Sequence, residues 1–230
     1  MSNPNEFLGS LQEVRGRIGE AAVRSHRKPE EVTLLAVTKT LSAATIQAAY
    51  DAGLRDFGEN RVQEALEKMV LLPRDIRWHL IGQLQTNKIN KTLGKFVLIH
   101  SVDSLRLAEA LSSRIQGEKQ DVLLEVNTSG EASKSGTAPE EAEAAAEKIS
   151  KCPGLQLRGL MTVGPLTDNI QQQREAFKTL KGLFDSLRGK KKWEENFSIL
   201  SMGMSGDFES AIEEGSTLVR VGTALFGSRG

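Results

Sequence analysis

The sequence predicts a single-domain α/β protein of the (β/α)8 TIM-barrel class, with an extra helix at its amino terminus. Short apolar β-type runs alternate with amphipathic segments along the chain. Eight such runs can be marked, and parallel pairing through right-handed crossovers closes them most simply into a barrel. The 230 residues show no linker, low-complexity tract or break in composition, which fits one domain over 1–230. The alternative is an open doubly wound sheet, which would place a phosphate loop after the first strand. No G-x-G-x-x-G or Walker sequence follows there.

In chain order, a helix over about 6–26 precedes a first strand at 33–38. A helix at 42–52 ends near Gly53, a natural left-handed terminator, before the strand at 55–58. A helix at 61–70 and strands at 77–82 and 96–101 follow. Asp103 or Ser104 can cap the helix at 103–116, ahead of the strand at 121–127. Ala138-Pro139-Glu140-Glu141 opens the helix at 139–151, with proline and acids where missing donors and the helix dipole favour them. Strands at 156–163, 197–202 and 218–222 alternate with helices at 169–188 and 207–214.

Composition narrows the function classes. Lys plus Arg equals Asp plus Glu at 30 each, so the chain lacks the basic excess of a general nucleic-acid binder. Lys190-Lys191-Lys192 beside Gly189 reads as a solvated loop. The one cysteine, Cys152, cannot form an internal disulfide and suits a reducing cytoplasm. No apolar run approaches the roughly 20 residues of a membrane helix, and Met1 to Glu6 lack the features of a signal peptide. One cysteine and three scattered histidines give no metal-ligand spacing. The expectation is a soluble cytoplasmic protein without a metal.

The chemistry gathers around Lys39, at the carboxyl end of the first strand. In a barrel the active face is built from strand carboxyl ends, with phosphate often held after strands seven and eight. Ser201-Met202-Gly203-Met204-Ser205-Gly206 falls after the seventh strand and Val221-Gly222-Thr223-Ala224 after the eighth. Both are rich in small and hydroxyl residues that let backbone approach a phosphate. Strand one closes against strand eight, so Lys39, Ser205, Gly222 and Thr223 should share one side of the mouth. A lysine so placed can hold an aldehyde phosphate as a Schiff base. Arg220, two residues before Gly222, lies on the same strand face and can reach a ring held between phosphate and lysine. The plainer readings are a surface lysine, an ordinary turn, and an Arg220 paired with a carboxylate such as Glu59. His79 alone suggests a core histidine, Asn60 a helix cap and Lys134 a loop charge.

Ala36-Val37-Thr38-Lys39, Phe57-Gly58-Glu59-Asn60-Arg61-Val62-Gln63-Glu64, Trp78-His79-Leu80-Ile81-Gly82-Gln83-Leu84-Gln85-Thr86-Asn87-Lys88 and Ser133-Lys134-Ser135-Gly136 occur in this order. Arg158-Gly159-Leu160-Met161, Ser201 to Asp207 and Arg220 to Gly227 complete the set. With these segments the chain resembles the pyridoxal 5′-phosphate homeostasis protein family, which has the alanine racemase N-terminal barrel. The resemblance implies a fold-type III pyridoxal-phosphate protein in which Lys39 forms the internal aldimine. It implies that Ser205, Gly222 and Thr223 hold the phosphate and that Arg220 faces the ring nitrogen. Asn60 and His79 match segments that line the family's pocket. The implied role is management of vitamin B6 supply, with pyridoxal-phosphate-dependent apoenzymes as possible recipients and no established catalysis.

Racemisation needs a second acid/base group across the ring from the lysine. In the racemases that resemble this barrel it is a tyrosine, supplied with an added domain and a partner subunit. Here the sole tyrosine, Tyr50, lies late in the first barrel helix, and the sequence stops at Gly230 after the barrel. The expectation is therefore a non-catalytic holder of the cofactor, with a monomer fitting the loss of the swapped domain. A minimal amino-acid racemase is the alternative, and a Schiff-base aldolase is a third.

Overall fold

The computed structural model describes residues 4–131, 133–190, 193 and 196–227. Eight parallel strands close in sequence order: β1 (Thr33–Val37), β2 (Asp56–Glu59), β3 (Arg77–Leu80), β4 (Leu98–Val102), β5 (Gln120–Glu125), β6 (Leu155–Met161), β7 (Ile199–Ser201) and β8 (Leu218–Val221). Around them lie α1 (Pro4–Arg24), α2 (Ala43–Asp51), α3 (Val62–Met69), α4 (Ile89–Thr92), α5 (Leu105–Ser112), α6 (Ala142–Ile149), α7 (Ile170–Arg188), α8 (Phe208–Glu213) and α9 (Thr223–Phe226). The barrel, its eight strands and the additional amino-terminal helix are as the sequence predicts.

The differences sit at element ends. Asp103 and Ser104 both precede α5, but it is Ser104 Oγ that accepts the Leu107 amide, at 3.3 Å. The segment opened by Pro139 begins as a 3-10 turn, Pro139–Glu141, before α6. The helix after β3 escapes the sequence reading because a 3-10 turn at Thr86–Lys88 and a single turn of α4 are too short to show periodicity.

Alternation along the strands sorts the core into two layers. Outward residues such as Ala36, Phe57, Leu80, Ile99, Val122, Leu124, Leu160, Leu200, Val219 and Val221 join the helices in one large apolar cluster. Inside the barrel, Leu98, Leu123 and Met161 form a separate small cluster with Val163 and Ile199. On β6 the pairing steps from Val122↔Leu157 to Leu123↔Gly159, so Arg158 is an extra residue in a bulge. Gly159 is required there: its φ is +154, and a Cβ would lie 1.7 Å from the Ile199 carbonyl oxygen. The interior also holds polar side chains, which occupy a continuous path described below.

Candidate functional site

The closure of β1 against β8 sets the site. Leu35 pairs with Arg220 and Ala36 with Val221, so Val37 and Gly222 stand one level higher. Lys39 lies just above, in a turn closed by the Leu41 amide on the Thr38 carbonyl at 3.0 Å. It is exposed, and among the described residues its amine has no hydrogen bond or ion pair. The next residue, Thr40, has φ +66, an uncommon left-handed conformation for a β-branched residue.

A buried lysine holds that turn from beneath. Lys68 on α3 donates to the Thr38 carbonyl at 2.8 Å, to Glu59 Oε1 at 2.7 Å and to Glu64 Oε1 at 2.6 Å. All three ammonium protons are thereby used. Thr38 Oγ1 donates to Glu59 Oε1 at 2.7 Å, and the Thr40 amide donates to Glu64 Oε1 at 2.5 Å. Burial pushes the Glu59 carboxyl above the usual carboxylate range despite Lys68 and Thr38. For Glu64 burial acts the same way, but Lys68 and the Thr40 amide outweigh it and hold the group low. Thus Glu59 is the partner of Lys68 and not of Arg220. Lys68 was invisible to the sequence reading, because an i,i+4 Glu64–Lys68 pair on a helix usually marks a solvated face.

Opposite the turn, Ser205 Oγ accepts the amides of Gly222 at 3.1 Å and Ala224 at 3.2 Å. Two backbone donors at the start of α9 therefore converge on one oxygen, beside the exposed Thr223. Gly203, with φ +94, lets the loop pack on α8, where a Cβ would meet Ala211 Cβ at 2.6 Å. Asp207 Oδ1 accepts the Met204 amide at 2.5 Å and fixes the loop's other end. Below them Arg220 is 4% exposed. It donates to Ser201 O at 2.9 Å, Ser201 Oγ at 2.7 Å and Thr162 O at 2.7 Å. These bonds use three of its five N–H groups. Burial lowers its pKa to about 10, against the attraction of Asp207 and Glu125, so the guanidinium is charged at neutral pH.

The remaining candidates divide. Asn60 follows β2 on the same mouth, and its backbone packs against Gly82, where a Cβ would fall 2.3 Å from the Asn60 carbonyl oxygen. Gly82→Ala is expected to cost about 2 kcal/mol or more by displacing that backbone, measurable as a lowered urea midpoint at unchanged slope. His79 does not come to this mouth. Its ring nitrogens lie 3.0 Å from His100 Nε2 and 3.1 Å from Asp56 Oδ1, and Asp56 is the first residue of β2, so the imidazole reaches toward the amino-terminal end. Lys134 Nζ is engaged by Glu131 Oε1 and the Gly164 carbonyl, each at 2.7 Å, bridging the loops after β5 and β6. Tyr50, the sole tyrosine, places its hydroxyl 2.7 Å from Asp75 Oδ1 on the outer helical layer.

The sequence reading also passes over Glu125, the last residue of β5, which is 7% exposed and shares strand parity with the inward Leu123. Burial pushes its pKa to about 7, with Asp103 adding to the rise and Arg220 opposing it. The available signal was a charged residue ending the apolar run Val122-Leu123-Leu124. A carboxyl that folding makes more basic keeps its proton in the folded state between pH 4.5 and about 7, so stability falls as pH rises through that window. At roughly 1.4 kcal/mol per pH unit, the loss is at most about 3.5 kcal/mol. Glu125→Gln is expected to remove this fall: the variant should gain on the parent protein as pH rises from 4.5 to 7, and match its slope below 4.5. Urea unfolding of the ligand-free proteins across that range tests the sign.

Among the described residues no group of three His, Cys, Asp or Glu could hold a metal ion, and no helix is long and apolar enough to cross a membrane.

Comparison with known proteins agrees with this fold. The family model for the alanine racemase N-terminal domain matches residues 17–230. The pyridoxal phosphate homeostasis protein of Pseudomonas aeruginosa is 46% identical over 223 residues, covering 96% of this chain and 94% of the relative. The crystal structure of an unknown protein from Bifidobacterium adolescentis superposes with a TM-score of 0.93 at 43% identity, covering 97% of this chain and 95% of that one. PipY of Synechococcus elongatus PCC7942, solved with PLP bound, gives a TM-score of 0.76 at 38% identity, covering 91% of this chain and all of PipY.

Proposed function

The chain belongs to the alanine racemase N-terminal domain family, and we propose that it binds pyridoxal 5′-phosphate and serves homeostasis of that cofactor without catalytic turnover. The observation that carries the proposal is one mouth bearing an uncommitted lysine amine, a two-amide oxygen cradle and a buried arginine. The homeostasis role rests on the name of the relatives, and the ligand on PLP in PipY. We take residues 1–230 as one domain for this purpose, and the single Cys152 suits a reducing cytoplasm.

The residues present fit the group. Pyridoxal phosphate supplies an aldehyde that condenses with an amine, and a phosphate dianion. Lys39 Nζ would take the first. Ser205, the Gly222 amide and Thr223 would take the second, since Ser205 Oγ now stands where the amides direct their protons. Arg220 can only donate, so it would meet a ring nitrogen as an acceptor and keep it unprotonated. That weakens the ring as an electron sink and suits retention over turnover. Asn60 borders the same mouth, whereas His79 would act only from a distance.

The reading is tested by titrating the ligand-free protein with pyridoxal 5′-phosphate and with pyridoxal. Stoichiometric appearance of a visible band is expected with the phosphate ester, and binding at least about tenfold weaker with pyridoxal, corresponding to 1.4 kcal/mol or more for the cradle. Equal binding of both would contradict the assigned phosphate site. Glu125 gives a minimal racemase its one specific argument, as a carboxyl near neutrality at the mouth. Incubation with common amino acids in heavy water separates the readings: no α-proton exchange is expected, and exchange lost in Glu125→Gln would establish the racemase.

A further inference from the structure

A chain of buried polar groups runs from the ring-facing arginine to the opposite end of the barrel. Ser201 Oγ lies 2.7 Å from Arg220 Nη1 and 3.1 Å from His100 Nδ1. His100 Nε2 lies 3.0 Å from His79 Nδ1, and His79 Nε2 lies 3.1 Å from Asp56 Oδ1. His100 and Ser201 are at most 2% exposed, and His79 is 5% exposed. At the far end Arg77 Nε donates to Asp56 Oδ1 at 2.7 Å. This end opens on a cleft of about 550 Å³ at the amino-terminal mouth, whose lining includes Asp56, Arg77 and His79.

The two ends dictate the direction of every bond between them. A guanidinium only donates, so Ser201 Oγ accepts from Arg220. Within the described residues, His100 Nδ1 is the recorded partner left for the serine's own proton, and a buried hydroxyl proton left unpaired is costly. His100 must then carry its proton on Nε2 and give it to His79 Nδ1. His79 in turn carries its proton on Nε2 and gives it to the Asp56 carboxylate. A fixed cation and an anion are thus joined by three aligned dipoles. The two groups that must be neutral and ionised are so: burial holds His100 well below the usual histidine range, which keeps its ring neutral. Arg77 and His79 overcome burial and bring Asp56 down to about 2.

We propose that Ser201, His100, His79 and Asp56 are positioning residues for Arg220, forming a one-way hydrogen-bonded relay that fixes the guanidinium and ties it to a carboxylate at the far mouth. The relay deepens the cofactor reading, because Arg220 is the group assigned to the ring. It also gives His79 a role at a distance from the ligand, and it makes a surface remote from Lys39 able to bias the ring.

Two-bond ¹H–¹⁵N correlation of the histidine side chains tests the relay in the ligand-free protein at neutral pH, independently of whether Lys39 ever takes a ligand. Both His79 and His100 are expected as neutral rings protonated on Nε2. A proton on Nδ1 of either ring, including a doubly protonated His79, would overturn the proposal. A second arm uses Asp56→Leu loaded with pyridoxal 5′-phosphate. Loss of the acceptor is expected to let His79 exchange between tautomers and to shift the visible band, with the ³¹P resonance of the bound phosphate unmoved. A band identical to that of the parent protein would show that the chain does not reach the ring. If the leucine variant fails to fold, the tautomers of the parent protein still decide.

Discussion

Replacing Lys39 with alanine is expected to abolish the visible absorption that the protein takes on with pyridoxal 5′-phosphate, while changing folding stability by no more than about 0.5 kcal/mol. The asymmetry follows from the structure. Lys39 is exposed, and among the described residues its amine carries no hydrogen bond or ion pair, so the fold does not depend on it. The turn that presents it is held by Lys68, Glu59 and Glu64, none of which the substitution touches. The proposed phosphate cradle and Arg220 also remain, so the variant should keep weak, colourless binding. Absorbance titration beside urea unfolding checks both halves. A coincident loss of stability would show that the lysine is structural.

Lys68→Met is expected to do the reverse, costing about 3–5 kcal/mol of stability because it leaves a buried carboxylate without its cation. Glu59 is fully buried, and Lys68 is 7% exposed. Glu59 Oε2 has no partner among the described residues, so all its compensation enters through Oε1, from Lys68 and Thr38. Without Lys68 the Glu59 carboxyl should rise further, keeping its proton to higher pH. The loss should therefore be smallest in acid and grow as pH increases. Adding Glu59→Gln should recover part of it by removing the buried charge. Chemical denaturation of the single and double variants at two pH values is sufficient. Equal stability of Lys68→Met and the parent protein near pH 8 would mean that the cluster is solvated. Because the same cluster fixes Thr40 in its left-handed conformation, Lys68→Met should also weaken cofactor binding.

Strand–helix alternation with right-handed crossovers gave the barrel, since parallel strands buried on both faces read as apolar runs such as Val122 to Leu124. Ser205, Gly222 and Arg220 were legible because glycine and hydroxyl residues at the last two strand ends have a physical meaning independent of neighbours. Lys68 and Glu125 were not. Their significance depends on burial, which a single sequence expresses only through the company a residue keeps, and Lys68 keeps the company of a surface helix. His79, which by itself read as a core histidine and by resemblance matched a pocket segment, lies hydrogen-bonded between His100 and Asp56. Position on a strand fixes its inward parity but not which end of the barrel a flexible imidazole addresses, and Asp56 and His100 decide that.

Borohydride reduction of the protein loaded with pyridoxal 5′-phosphate, followed by peptide mass mapping, tests the central claim most directly. The account predicts one reduced pyridoxyl adduct, on Lys39. An adduct absent from Lys39 and found instead on Lys134 or Lys68, or no adduct on a protein that binds the ligand stoichiometrically, would contradict it.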